Sequence, residues 1–279
     1  MSLYFFDGID TVWIGIVFTV LASIGFWSSI VFYNAYLPEV AFPEDQDRVS
    51  AKGFILGYLG SIILLVINLG MILKPELLGI TSGAASQISF VMVGLWWIGF
   101  AQITFRRLPN NIFDKKPEKD YIWKVFKELK IVGNEIKNYP TLKRFLYAFF
   151  SLSVGVQTII LLATIFGSTE LGLGTVNLII TVLLIQIVAI FGAWFFSNIS
   201  ERYGNFKALK VTVLIWVLVC LAAFNLHKEL PNVDVLFYGL GGILGLVLGA
   251  IQSLTRSTYS KLLPETEDHA TYFSFYDVT

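Results

Sequence analysis

Polar side chains interrupt the apolar stretches of this chain at spacings that place them on single helix faces. Tyr58 and Asn68 would share one face, and Ser153 and Gln157 another, if these stretches are helical. Amide groups donate and accept hydrogen bonds together, so they bind zwitterions and other polar solutes without a fixed charge. The candidate ligands for such a solute are Trp27, Asn34, Tyr58, Asn68, Gln157 and Gln186. The same side chains could instead hydrogen-bond between helices, which is worth under ~1 kcal/mol on average in membranes, and both interpretations stay open.

Signatures of catalysis are absent from the sequence, which has no G-x-x-x-x-G-K-[ST] nucleotide loop, no G-x-S-x-G and no H-E-x-x-H. The two histidines, His227 and His269, fall in loops predicted on opposite sides of a membrane, so they cannot share a metal or form a catalytic dyad. The single cysteine, Cys220, can form no intrachain disulfide and has no second thiol for a metal pair. We therefore expect no enzyme activity, no metal and no cofactor.

The composition is that of a membrane protein. Hydrophobic residues make up 56% of the chain and charged residues only 14%, against roughly 25% charged in soluble domains. The mean hydropathy is +0.71. The formal net charge is zero, so there is no electrostatic case for nucleic-acid binding.

Seven apolar runs are each near the ~20 residues that cross ~30 Å of hydrocarbon, and they predict an all-α, polytopic transmembrane bundle. The runs are Thr11–Tyr33, Phe54–Leu73, Ile88–Phe105, Phe145–Phe166, Thr175–Asn198, Ala208–Asn225 and Val235–Leu254. Apart from Lys210 near the start of the sixth run, no run contains an acid or a base, and all eight prolines fall outside the runs. Because proline breaks helices, its placement supports these boundaries.

The polar segment 106–144 holds eleven of the twenty basic residues. If this segment is cytoplasmic and the helices alternate, eighteen basic residues lie inside and only Lys74 and Lys228 lie outside. Such an imbalance is the positive-inside signal. It predicts a multi-pass protein, of the bacterial inner membrane in our interpretation, with 106–144 in the cytoplasm.

An amphipathic helix is expected within that segment, over residues 119–137. One face would carry the apolar side chains Ile122, Val125, Phe126, Leu129, Val132 and Ile136. Lys124, Lys127 and Lys130 fall on other faces. A helix of this kind suits the surface of an anionic membrane. It could equally pack against the cytoplasmic ends of the bundle, and the two alternatives are compatible.

The layout around the basic segment is that of two helix bundles joined by a loop. We expect 1–105 to be the C-terminal half of a first bundle, 106–144 the cytoplasmic loop, and 145–279 the N-terminal part of a second bundle. Seven helices, three of them before the loop, do not make two symmetric six-helix bundles. We therefore expect a portion of a twelve-helix protein, whose remaining helices would be partners of this chain together with membrane lipids.

Small residues recur every four positions in two of the helical stretches. Gly53 and Gly57 do so at the start of the second, and Gly241, Gly245 and Gly249 in the seventh. This spacing allows helix backbones to approach closely within lipid. The alternative is the general abundance of glycine in membrane helices.

The segment 198–207 between the fifth and sixth runs reads N-I-S-E-R-Y-G-N-F-K. It is similar to the signature that major facilitator transporters carry after even-numbered helices. Arg202, Gly204 and Lys207 match that signature, Glu201 replaces its Asp, and Ser197 replaces its first Gly. The signature implies a gating role for Glu201, Arg202, Gly204 and Lys207, in which a tight turn and an acid–base pair lock or release a helix end.

Four further segments strengthen the resemblance, namely 32–39 (FYNAYLPE), 49–60 (VSAKGFILGYLG), 249–257 (GAIQSLTRS) and 273–277 (FSFYD). With them the chain resembles the major facilitator branch that includes the fungal autophagy-related vacuolar amino-acid effluxers and their bacterial relatives. The resemblance implies that the seven runs are the fourth to tenth of twelve helices. It also implies an acid just before Gly155, where this chain has Val154, so proton coupling through that helix is not indicated.

The function expected from the residues and from the resemblance together is secondary active transport by alternating access, with an amino acid or another small polar solute as substrate. The alternative is a truncated, non-transporting relative that acts as a scaffold.

Overall fold

The computed structural model describes residues 1–108 and 121–278, except for the side chains of 121–125. Within those ranges the chain is helical and contains no strand. The ten α-helices of these ranges are α1 (Val12–Ala35), α2 (Leu37–Val40), α3 (Gln46–Leu73), α4 (Ser82–Arg107), α5 (Tyr121–Glu135), α6 (Pro140–Thr169), α7 (Thr175–Tyr203), α8 (Asn205–Phe224), α9 (Val233–Leu262) and α10 (His269–Val278).

Seven of the described helices are long and apolar enough to cross a membrane, namely α1, α3, α4, α6, α7, α8 and α9. The prediction of a polytopic all-α protein is therefore confirmed. Several helices extend beyond the apolar runs: α3 begins at Gln46 and α9 ends at Leu262. Hydropathy detects only the part of a helix that lies in hydrocarbon, so it misses polar turns at the ends.

The longer helices correct one expectation from the sequence. The apolar runs leave Asp47 and Arg256 outside the helices, but these residues lie within α3 and α9 and are 1% and 3% exposed. Helices of this chain therefore do contain buried charged residues. Burying a charge is costly unless it is paired, so we expect each of these two side chains to have an opposite charge or hydrogen-bonding groups beside it.

The chain divides into two compact units, and α1, α3 and α5 contribute residues to both. The first unit comprises 1–30 and 63–126. In it, the 3₁₀ turn Ser2–Phe5 packs on α4. Phe26 of α1 and Trp97 of α4 bring the centroids of their rings within 5.7 Å of each other.

The second unit comprises 31–62 and 127–279, and α9 is its central helix. α9 packs against α6, α7 and α8, and half of its most apolar stretch is buried. One apolar cluster, around Trp216, Val247 and Ile251, lies among α6, α8 and α9. A second cluster, around Phe145 and Tyr259, also includes side chains from α10.

α7 and α9 approach each other backbone to backbone. A Cβ atom built on Gly249 would overlap the carbonyl oxygen of Ala189, and one on Gly245 would overlap that of Ile185. On the opposite helix, a Cβ on Gly192 would overlap the carbonyl oxygen of Leu246. Close packing of this kind needs glycine on both helices, because a Cβ atom would overlap the facing backbone. Van der Waals contact between closely packed backbones drives helix association in lipid, where the hydrophobic effect does not.

The other glycines predicted for helix packing differ in their surroundings. A Cβ on Gly241 would lie 2.8 Å from Thr181 Cγ2. Gly53 has Tyr33 and Arg256 against it, whereas no heavy atom lies within 4 Å of a Cβ on Gly57.

The amphipathic segment forms α5 and a following 3₁₀ turn, Ile136–Asn138. Val132 and Ile136 are buried against the cluster that contains Tyr259, so part of the apolar face packs on the bundle. Phe126 and Ile131 are exposed, by 64% and 47%. Docking of α5 on a membrane surface stays a prediction. Lys115, Lys116 and Lys119 lie outside the described residues, as do the side chains of Ile122, Lys124 and Val125.

Candidate functional site

The carboxylate of Asp47 is at the centre of a buried polar cluster in the second unit. Its Oδ2 accepts a hydrogen bond from Ser200 Oγ at 2.8 Å and lies 2.8 Å from Lys261 Nζ. Its Oδ1 accepts from Asn205 Nδ2 at 2.7 Å. Lys261 Nζ also donates to Asn205 Oδ1 at 3.1 Å. One carboxylate therefore joins the first turn of α3 to the ends of α7 and α9 and the start of α8.

Local sequence explains how these groups meet. Gly204 is the single residue between α7 and α8, and its φ of 90° is one that residues with a Cβ rarely adopt. This turn places Ser200 and Asn205 side by side over Asp47. A buried ion pair needs further hydrogen bonds to offset the loss of hydration, and these two side chains supply them.

A second buried cation, Arg256 of α9, is bound by α1 and α3. Its Nε donates to Ser50 Oγ and its Nη2 to the Ser50 carbonyl oxygen, both at 2.9 Å. The centre of the guanidinium lies 4.7 Å from the ring centroid of Tyr33 and 4.8 Å from that of Phe54. Gly53 leaves the space that this arrangement needs. Two rings and two acceptors thus stabilise a charge that water cannot reach.

The last turn of α10 completes the polar layer. Asn34 Nδ2 of α1 donates to Asp277 Oδ1 at 2.7 Å, while Asp277 Oδ2 is buried with no hydrogen-bond partner among the described residues. Burial raises the pKa of Asp277 to about 6, although the Asn34 hydrogen bond and the charge of Arg256 act to lower it.

Two further contacts bind α10 to neighbouring elements. His269 Nδ1 and Glu39 Oε1 of α2 are in hydrogen-bonding contact. The Tyr272 hydroxyl donates to Glu135 Oε2 of α5 at 2.8 Å. α10 therefore has polar contacts to α1, α2 and α5. It also contacts α9, where the Tyr259 hydroxyl donates to the Tyr272 carbonyl oxygen and Thr255 hydrogen-bonds the Tyr276 hydroxyl.

Six residues were predicted as solute ligands, and the structure places them in different surroundings. Asn34 is 5% exposed and bonded to Asp277. The Tyr58 hydroxyl donates to Gln252 Oε1 at 2.5 Å. Each of these two therefore pairs with a residue outside the predicted set, as the hydrogen-bonding alternative expected.

The other four candidates have no such pairing among the described hydrogen bonds. Asn68 Oδ1 and Gln186 Oε1 are buried without a partner in the described part of the chain. Gln157 is exposed, and Trp27 is 51% exposed beside Phe26. Their role in binding a solute stays a prediction.

The predicted gating residues Glu201, Arg202, Gly204 and Lys207 are all exposed. Their segment contacts α3 through Ser200 and Asn205, two side chains that the signature did not single out. Sequence reasoning also missed Asp47, Arg256 and Asp277. Asp47 and Arg256 could have been found as charges just beyond the apolar runs, three residues from the small side chains of Ser50 and Ser253 respectively.

Comparison with known proteins gives two kinds of match. The model of the family described as "Vacuole effluxer Atg22 like" matches residues 1–279. An uncharacterized MFS-type transporter, YxiO of Bacillus subtilis, is 33% identical over 94% of this chain and 60% of its own length. Autophagy-related protein 22-1 of Penicillium rubens is 25% identical over 84% of this chain and 42% of its own length. The chain thus spans about half the length of these relatives, and no solved structure matches it.

Proposed function

The chain belongs to the Atg22-like vacuole effluxer family, and from this membership we propose that it forms part of a secondary transporter that moves a small polar solute by alternating access. The names of the relatives support a transport role, and seven apolar helices support a multi-pass membrane protein. Amino acids are the first substrates to test, because buried amide oxygens are present and suit zwitterions.

The observation that carries this proposal is the polar layer around Asp47 and Arg256. It joins α3 to α7, α8 and α9 by one ion pair and several hydrogen bonds, not by apolar packing alone. It joins α1 to α9 through the Tyr33 ring, which lies against the guanidinium of Arg256. Directional contacts of this kind form or break as a set when helices separate by a few ångströms. A transporter needs such a contact set at one end of its bundle, made in one access state and lost in the other.

Solute binding in this proposal falls to the amides within the apolar stretches. Asn68 and Gln186 each have a buried oxygen without a described donor. A buried acceptor of this kind is costly unless a ligand or water satisfies it. An ammonium group on the solute would be a suitable donor.

The proposal is tested by flux of labelled amino acids into liposomes that contain the full-length protein. We expect Gln157→Ala to weaken solute affinity about tenfold or more, because it removes a direct contact. Arg202→Ala should instead slow transport about fivefold by changing the access equilibrium, and affinity should change only as far as that population shift allows. Absence of flux for every amino acid in the wild-type protein would contradict the proposal and favour the scaffold alternative.

The orientation in the membrane is part of the same proposal, with residues 106–144 in the cytoplasm. In a Cys220→Ser background, Lys74→Cys and Lys228→Cys should react with an impermeant maleimide on intact cells, and Lys124→Cys should react only after lysis. The reason is that this orientation would put eighteen of the twenty basic residues in the cytoplasm, as the positive-inside rule favours. Labelling of position 124 but not 74 on intact cells would reverse the orientation.

A further inference from the structure

Asp277 is a buried acid that has no role in the transport function proposed above. One of its oxygens has a single donor, Asn34, and the other is buried without any donor among the described residues. An ionised carboxylate offers about four lone-pair sites. A site that satisfies so few of them favours the neutral, protonated acid.

Among the described residues, one positive charge acts on Asp277, and it is bound elsewhere. The titratable groups that interact with Asp277 are Arg256 and Tyr259 of α9 and its neighbour Tyr276. Phenols have an ordinary pKa of about 10 and stay neutral near pH 6. The guanidinium of Arg256 donates to Ser50, and no ion pair joins it to Asp277 among the described contacts.

We propose that Asp277 is a proton-binding site, and that release of its proton draws Arg256 away from Ser50 and so opens the contact between α3 and α9. Adjacent residues of α1, Tyr33 and Asn34, contact Arg256 and Asp277 respectively, so the two groups lie beside the same turn. The reaction is loss of one proton from the Asp277 carboxyl to water. The carboxylate that remains is a stronger partner for a guanidinium than the neutral hydroxyl and carbonyl of Ser50. The link to solute movement rests on the proposed transport function, but proton binding itself does not.

The direction of the pH effect follows from the two states of the acid. In the described arrangement the pKa of Asp277 is raised by burial from 3.8 to about 6, and in an open arrangement that hydrates the carboxyl it returns towards the ordinary value. The described arrangement therefore binds the proton more tightly. It is favoured below about pH 6 and loses this advantage as the pH rises through that value. Between pH 5 and 7.5 the equilibrium should shift about tenfold towards the open form.

Proton binding is tested by infrared titration of the full-length protein in nanodiscs without any solute. The difference between wild type and Asp277→Asn should contain one protonated-carboxyl stretch with a midpoint near pH 6. Asn34→Ala should move that midpoint upwards, because it removes the hydrogen bond that stabilises the carboxylate. Asp10→Asn, at an exposed acid, should leave it unchanged. A midpoint near pH 4 in the wild-type protein, or a midpoint that Asn34→Ala leaves unchanged, would overturn the proposal.

Coupling to the Arg256 contact is tested by thiol accessibility in a Cys220→Ser background. Ser253 is fully buried and its carbonyl accepts from Ser50, so Ser253→Cys reports opening. Its maleimide rate is divided by that of Glu44→Cys, an exposed site, so that the pH dependence of thiol chemistry cancels. The ratio should rise about tenfold from pH 5 to 7.5 and stay flat in Asp277→Asn. A ratio that is flat in both proteins would refute the coupling. Neither assay requires transport, so failure of the flux assay alone would affect only the proposed function.

Discussion

Gly249→Ala should lower the free energy of unfolding by about 3 kcal/mol, an unusually large effect for a single methyl group. The added Cβ would overlap the carbonyl oxygen of Ala189 and lie only 2.8 Å from its carbonyl carbon. Backbone atoms cannot turn aside as a side chain does, so α7 and α9 would have to separate. The loss is measured by thermal unfolding of the full-length protein in one detergent.

Gly239→Ala is the matched control, because it adds the same methyl group to the same helix. No heavy atom lies within 4 Å of a Cβ at position 239. Alanine is the better helix former, so this substitution should be neutral or stabilise by up to about 1 kcal/mol. Equal losses from the two substitutions would mean that glycine acts in α9 by some property other than close packing.

Asp47→Ala should destabilise the described arrangement by about 3 kcal/mol. It leaves Lys261, whose side chain is only 24% exposed, without its carboxylate, and it removes the acceptor of Ser200 and Asn205. The midpoint of thermal unfolding should fall, and the buried cysteine in Ser253→Cys should become more reactive. Both readouts respond to the same loss of contacts between α3 and the ends of α7 and α9.

Asp45, two residues earlier, provides the control for Asp47. Its ion pair with Arg48 is 2.6 Å long but lies at the surface, where the two side chains are 43% and 58% exposed. Exposed pairs contribute at most about 1 kcal/mol, so Asp45→Ala should change stability little. Adding Lys261→Met to Asp47→Ala should recover part of the loss, since it removes the buried charge left without a partner. No recovery would show that the ion pair is not what stabilises this site.

The number of membrane helices could be predicted because hydrocarbon imposes a length and a composition on each span. Their ends could not, since the first turn of α3 and the last turns of α9 carry polar residues that hydropathy assigns to loops. Asp47 and Ser200 illustrate the limit: they lie 153 residues apart in the chain, and no periodicity connects them. Only the fold brings the first turn of α3 to the end of α7, where these two side chains meet.

The sequence predicted the glycines of α9 that allow the close approach to α7, but not the glycine of α7. Gly245 and Gly249 belong to a series of glycines spaced four residues apart, which can be recognised in a sequence. Gly192 has no glycine four positions before or after it in α7, so its fit against Leu246 depends on the register between two helices. The register between two helices is set by three-dimensional packing and cannot be predicted from a single sequence.

The one-residue connection at Gly204 also determines how movement passes through the second unit. A residue extends a chain by at most ~3.6 Å, so the end of α7 and the start of α8 have no slack between them. A displacement of α7 must therefore displace the start of α8 as well. It must also displace α9, because the backbones of α7 and α9 are in close contact. We therefore expect the three helices to move as one rigid body. Bending would then occur in the two loops that connect these helices to α6 and α10, residues 170–174 and 263–268.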